Sequence, residues 1–263
     1  MGRDLTAAVL DAVSVVCGPG VVSADMERSR LLRLPVSGRI NGVVGPWSEG
    51  LHLEAVPDGA ELGRALSVAR AFGMDGAVRW VQAGPALDDE LVALSSAAGK
   101  VITTRPVLRL GQLTTDAAAL AAGCPAKVGP MVGPADGAAF DVLLRWIDMD
   151  VDPAAWRARG ERQRVAAGAG AGHVWVARTA AMPVGVAGRW ASSNTQVVAP
   201  VVVHQQWRRA GVASALLASA WVPGAWLFSD GRGWLAAMAA ELGASVVAHL
   251  AEVRDPTASE RKA

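Results

Sequence analysis

At 263 residues, with 52% hydrophobic and 19% charged residues, the chain suits one large domain or two small ones and is apolar enough to bury a sizeable core. A formal net charge of +1 leaves no broad basic face for nucleic acid, and two cysteines, Cys17 and Cys124, supply neither a disulfide framework nor metal-ligand spacing. Tyrosine is absent, so no phenol can serve as a catalytic acid. So few cysteines fit a reduced, cytoplasmic setting, and Asp4 and Asp11 interrupt the N-terminal apolar residues, which argues against a signal peptide. MGRDLT fits the loose myristoylation pattern, which six residues match easily.

In chain order, LTAAVLDAV reads as a helix, Gly18-Pro19-Gly20 as a turn, and Met26 to Leu34 as a second short helix. Strands are expected at Arg39 to Val44 and at His52 to Val56. Glu61 to Phe72 has helical spacing, with Leu62, Leu66, Ala69 and Phe72 on one face. Ala77 to Val81 reads as a strand, Asp89 to Ala98 as a helix ended by Gly99, and Val101 to Thr104 as a strand. Residues 121–137 (AAGCPAKVGPMVGPADG) lack periodicity and read as a linker between domains at 1–130 and 137–254. Helices at Phe140 to Met149 and Pro153 to Ala167 are expected next, then a flexible GAGAG. Strands at His173 to Arg178, Val184 to Trp190 and Val197 to Val203 follow. A helix from Val212, a strand at Trp226 to Phe228, a helix at Trp234 to Leu242 and a strand at Ser245 to Glu252 complete the fold, and 255–263 is a disordered polar tail. Ala210 to Phe228 is uncharged and long enough to cross a bilayer, but Pro223-Gly224 divides it into a helix and a strand, so no membrane partner is expected. LVALSSAAG (91–99) and LAAMAAELG (235–243) echo each other after a Trp-containing strand, which fits either chance or an internal duplication.

The chemistry concentrates in HQQWRRAGVASALLASAW, 204–221. A strand, a short basic turn and a helix meet there. A helix start carries unpaired N–H groups and the positive end of the dipole. It binds phosphate when the backbone can come close. Gly211 and Ala213 leave that approach open, Arg208 and Arg209 add charge, and Ser214 adds a hydroxyl. The turn suits a diphosphate, yet it lacks the Gly-Lys-Ser/Thr of a P-loop and the third Gly of the dinucleotide fingerprint.

R-R-A-G-V-A (208–213) resembles the Gln/Arg-x-x-Gly-x-Gly/Ala signature of the GNAT N-acetyltransferase superfamily, and VVVHQQWRRAGVASALL resembles its strand, pyrophosphate loop and helix. ELGA (241–244) resembles the "lGF" before that family's last strand, with Ala244 in place of Phe. RINGVVGPW (39–47) loosely resembles a segment in the degenerate N-terminal half of some tandem members. The resemblance implies an α/β (α+β) fold, a GNAT-like mixed central sheet flanked by helices, in two GNAT-like halves. It implies acetyl-CoA as cosubstrate, with the diphosphate on backbone N–H groups of Arg209, Ala210, Gly211, Val212, Ala213 and Ser214 and the charge of Arg208 beside them. Backbone at Val201, Val202 and Val203 would hold the pantetheine arm in a splay between strands 197–203 and 226–228, and one N–H there would polarise the thioester. The N-terminal half would be a scaffold or one wall of the acceptor site.

The rest of that family's chemistry departs from pattern. The position of its Tyr acid is Ala239, and that of its occasional Glu base lies near Val197. Ser229 and Asp230 are the nearest polar candidates, against a plain turn with Asp230 capping the next helix. His204 is a base candidate, against an ordinary solvent-facing strand end. The expected activity is direct transfer of an acetyl or short acyl group to a primary amine on a small molecule or peptide. The rivals are a non-catalytic CoA-binding module of the same fold and a nucleotide-binding enzyme.

Overall fold

The computed structural model describes residues 5–9, 11–12, 22–26, 29–33, 50–71, 78–132, 137–138, 143, 170, 172–180, 182–192, 194–229 and 233–256. Eleven strands among them are β1 (Val22–Met26), β2 (Ser29–Arg33), β3 (Gly50–Leu53), β4 (Val78–Gln82), β5 (Val101–Leu110), β6 (Lys127–Pro130), β7 (Gly172–Arg178), β8 (Pro183–Ala191), β9 (Gln196–Val203), β10 (Trp226–Phe228) and β11 (Ala244–Arg254). The main helices are α1 (Gly59–Ala71), α2 (Asp89–Ala97), α3 (Ala117–Ala122), α4 (Val212–Ala220) and α5 (Trp234–Glu241).

All the strands join one sheet in the order β1-β2-β3-β4-β11-β5-β10-β9-β8-β7-β6. The order repeats outward from its middle. β11 and β5 pair antiparallel at the centre. Each has an antiparallel outer neighbour, β4 or β10. Those neighbours run parallel to β3 and β9, and beyond them β2 and β8 return antiparallel. The echo between 91–99 and 235–243 has a structural counterpart, since α2 joins β4 to β5 as α5 joins β10 to β11. The long final strands are exchanged: β5 lies beside β10, and β11 beside β4.

Burial divides by face. Ile102 and Leu108 are six residues apart on β5 and so share one face. Ile102 packs on the cluster of Leu51, Leu62, Leu66, Trp80 and Leu91 beneath α1 and α2. Leu108 joins Leu216, Leu217, Leu227 and Leu235 beneath α4 and α5. Each fully buried leucine contributes roughly 1.5–3 kcal/mol. On the other face, Val107, Val186, Trp190, Val197, Trp226 and Phe228 form a third cluster, against which Val9, Ala12 and Leu143 pack. That face turns polar toward β4. Glu252 of β11 accepts from Arg79 Nε at 3.0 Å and lies 3.4 Å from Arg105 Nη2, with all three residues at 4% exposure or less.

Four stretches differ from expectation. The strand expected at His52 to Val56 lies instead at Gly50–Leu53, where pairing with β2 and β4 sets its bounds. Met26 to Leu34 was expected as a helix, but 29–33 form β2 between β1 and β3. Ladder bonds on both sides override the helix propensity of its Arg and Leu residues. The strand expected at Val101 to Thr104 runs on to Leu110, because β11 offers a partner along its whole length. The expected linker holds the end of α3 and all of β6, which pairs with β7. The strand expected at 39–44, most of the helices expected at 140–149 and 153–167, and residues 257–263 lie outside the described residues. No helix among the described residues is long and apolar enough to cross a membrane. Ala210 to Phe228 breaks into α4 and β10 around a turn with Gly224 at φ 83°.

Candidate active site

The site begins where the sheet loses its regularity. β9 pairs with β8 from Gln196 to Val203, apart from a bulge at Ala199-Pro200 opposite Gly188. With β10 it pairs only at Val197 and Val198. Pro200 has no N–H to give either neighbour. On the far side of β10, its ladder with β5 ends at Val107. Ser229 N–H then donates to Pro106 O at 3.1 Å. A strand residue's N and O point to the same side, so the hydrogen-less nitrogen of Pro106 also faces β10 and ends that ladder. Among the described residues, no strand lies between Ala199–Val203 of β9 and Val101–Arg105 of β5.

The phase of the β8–β9 ladder decides what faces this opening. His204 N–H donates to Val184 O at 2.8 Å. Alternation then directs the backbone of Val202 to Val186 of β8 and the backbone groups of Val201 and Val203 toward the opening. Val201, Val202 and Val203 are alike in sequence, whereas the ladder separates them.

After β9 the chain turns sharply. Gln205–Trp207 form one 3-10 turn, and His204 Nδ1 accepts from Gln206 N–H at 3.3 Å. His204 thus caps this turn. Trp207, Ala210 and Ala213 pack on the core below. Arg208 Nε donates to Val203 O at 3.5 Å and ties the loop to its strand. Arg209 has φ 63° and Gly211 φ 76°. The left-handed conformation costs a residue with a Cβ about 1–2 kcal/mol, which glycine avoids.

α4 starts without a side-chain cap. Its first intrahelical bond is Ala215 N–H to Gly211 O at 3.0 Å, so the amides of Val212, Ala213 and Ser214 have no acceptor within the helix. A Cβ on Gly211 would meet nothing within 4 Å, so the space before these amides is open. Arg208 and Arg209 are exposed beside it. Gly185 sets the helix close to the sheet, since a Cβ there would lie 2.8 Å from Leu216 Cδ1 and 3.3 Å from Val212 Cγ1. Open amides, the positive dipole end and two guanidinium groups suit a diphosphate.

Ser229 is 1% exposed at the end of β10, beside the opening. Asp230 lies outside the described residues, and the N-cap of α5 is Gly233, with no side-chain cap bond. Ala239 and Val197, where an acid and a base were sought, are fully buried against the core. Arg109 of β5 stacks over the Trp226 ring at 4.3 Å, and burial lowers its pKa. The sequence reading missed Pro106 and Pro200, whose signal was a proline inside an otherwise regular β run, and it missed Trp190, which has no local signal.

No protein family profile and no curated protein matches the chain. Solved structures do. A conserved protein of unknown function from Staphylococcus epidermidis is similar with a TM-score of 0.67 at 13% identity, over 89% of this chain and 93% of that one. A GCN5-related N-acetyltransferase from Kribbella flavida gives 0.55 at 16% identity, over 100% and 98%. A GCN5-related N-acetyltransferase from Sphaerobacter thermophilus gives 0.54 at 13% identity, over 88% and 81%. The protein has the GNAT fold, a mixed α+β sheet flanked by helices.

Proposed function

We propose that the protein is an N-acyltransferase that moves an acetyl or short acyl group from acetyl-CoA to a primary amine. One observation carries the reading: an uncapped helix start with open space before it adjoins the half of β9 that, among the described residues, lacks a strand partner on its β10 side. The amides of Val212, Ala213 and Ser214, with Arg208 and Arg209, would hold the diphosphate, and Ala210 and Gly211 would shape the turn. Val201 and Val203 would bond the pantetheine arm through their backbone groups.

Direct transfer needs little further machinery. The acceptor nitrogen attacks the thioester carbonyl, a C–N bond forms, and the C–S bond breaks. A β9 amide facing the opening stabilises the oxyanion. The amine proton leaves to water or a carboxylate, and the departing thiolate takes a proton from water, directly or through the Ser229 hydroxyl, which regains its proton from water. The acceptor, a small molecule or a peptide, would enter between β9 and β5, so the N-terminal half supplies one wall through Val101–Arg105.

Titration calorimetry with CoA tests the diphosphate site. The chain is expected to bind CoA, and Arg208→Glu with Gly211→Glu to abolish binding while the folded state persists. Unchanged affinity refutes the site. Release of free thiol from acetyl-CoA over a panel of amines then reports turnover; binding without turnover on any amine favours the non-catalytic CoA-binding module.

A further inference from the structure

We infer that Trp190 is a positioning residue for the opened half of β9. The inference rests on the acyl-CoA reading for its consequence, though not for its geometry. Trp190 of β8 is 3% exposed, and its indole N–H donates to the carbonyl of Ala199. Ala199 is the first residue of the bulge, where β8–β9 pairing passes from Arg189↔Val198 to Ala187↔Val201. A carbonyl displaced from its ladder and buried needs another donor. Ala199 is 2% exposed, and neighbouring Pro200 has no N–H to offer a strand. The indole supplies that donor.

Two glycines make room for the ring. A Cβ on Gly188 would stand 2.9 Å from Trp190 Cζ2 and 2.7 Å from Ala199 O. A Cβ on Gly172, which pairs with Trp190 across β7 and β8, would collide with the ring edge. Indole, bulge carbonyl and glycine bed therefore form one unit at the point where β9 leaves β10. Two and four residues further on stand Val201 and Val203, whose backbone groups face the opening. Without the indole N–H, the Ala199 carbonyl turns to another donor and shifts the phase of the strand behind it. The consequence is displaced amides at the thioester, not a missing contact with it.

The test compares Trp190→Phe, which keeps a ring and removes the donor, with Val176→Ala, a buried truncation in the same core cluster. Gly188→Ala is the second probe, because it presses on the bulge while keeping the indole. Amide NMR shifts of Val201, Val202 and Val203 are expected to move in W190F and G188A and to stay in V176A. CoA affinity is expected to fall about tenfold in both probe variants at a Tm no lower than that of V176A. Unmoved amide shifts overturn the inference whether or not CoA binds. Moved shifts with unchanged CoA affinity overturn its consequence for binding. Moved shifts in a chain whose unaltered form fails to bind CoA support the positioning role and defeat the acyl-CoA reading.

Discussion

Helices α1 and α4 hold equivalent places in the sheet, and their first turns differ. Each follows a strand that runs parallel to the strand after the helix. At α1, Asp58 accepts from the Glu61 N–H at 2.7 Å, and Glu61 adds a second carboxylate to the first turn. Glu90 closes in as well, with Oε1 at 2.6 Å from where a Cβ on Gly59 would sit. Asp58 satisfies an amide that would otherwise seek a ligand, and the acids repel a phosphate. At α4, glycine caps without a side chain, arginines flank the turn, and the space in front is open. The adjoining ladders differ the same way. β3 meets β4 at three positions out of four residues, whereas β9 meets β10 at two out of eight. One topology used twice thus gives a self-satisfied helix start and an open one, and a few residues decide which is which.

Breaking the shared centre should have the largest effect. Glu252 sits on the last strand and holds Arg79 and Arg105 from earlier strands. Glu252→Ala leaves two guanidinium groups facing each other in a buried site, and a loss of about 3–5 kcal/mol is expected in urea unfolding. A loss under 1 kcal/mol would mean that the halves do not depend on the exchanged strands. Next comes making α4 resemble α1. Gly211→Asp places a carboxylate at the open amides and should weaken CoA binding on the order of a hundredfold by calorimetry, from lost anion contacts and added repulsion. Asp tolerates the left-handed conformation, so the fold should survive. The reverse change is milder. Asp58→Ala should cost about 1 kcal/mol of stability through the lost cap and leave CoA binding unaltered. The smallest effect belongs to Arg209→Gly, which keeps the turn at φ 63° and removes one charge. A CoA dissociation constant a few-fold higher, with the difference shrinking as salt is added, is expected.

Much of the C-terminal half was legible along the chain. β10 falls on the residues expected, β7, β8 and β9 within one residue of them, and α4 begins at Val212. Those segments are strongly apolar and bounded by Gly, Pro or polar turns, so local pattern suffices. The helix start at Gly211 was legible for the same reason, since its signals are contiguous. The N-terminal half read less well. Residues 29–33 carry good helix formers and become a strand only because β1 and β3 flank them. β5 looked four residues long because its partner, β11, lies more than a hundred residues away in sequence.

Sequence alone therefore determined the pieces whose cause is local: the basic turn, the glycine that opens the helix, the apolar strand before it, and the lack of any tyrosine to act as an acid. The tertiary structure decided what depends on partners distant in the chain. It exchanged the two long strands, stopped the β10 ladder at Pro106, separated Val201 and Val203 from Val202 by ladder phase, and brought the Trp190 indole to the Ala199 carbonyl. The physical reason is that a strand's hydrogen bonds are made with other segments. Where a sheet opens is a property of three neighbouring strands, and no one of their sequences contains it.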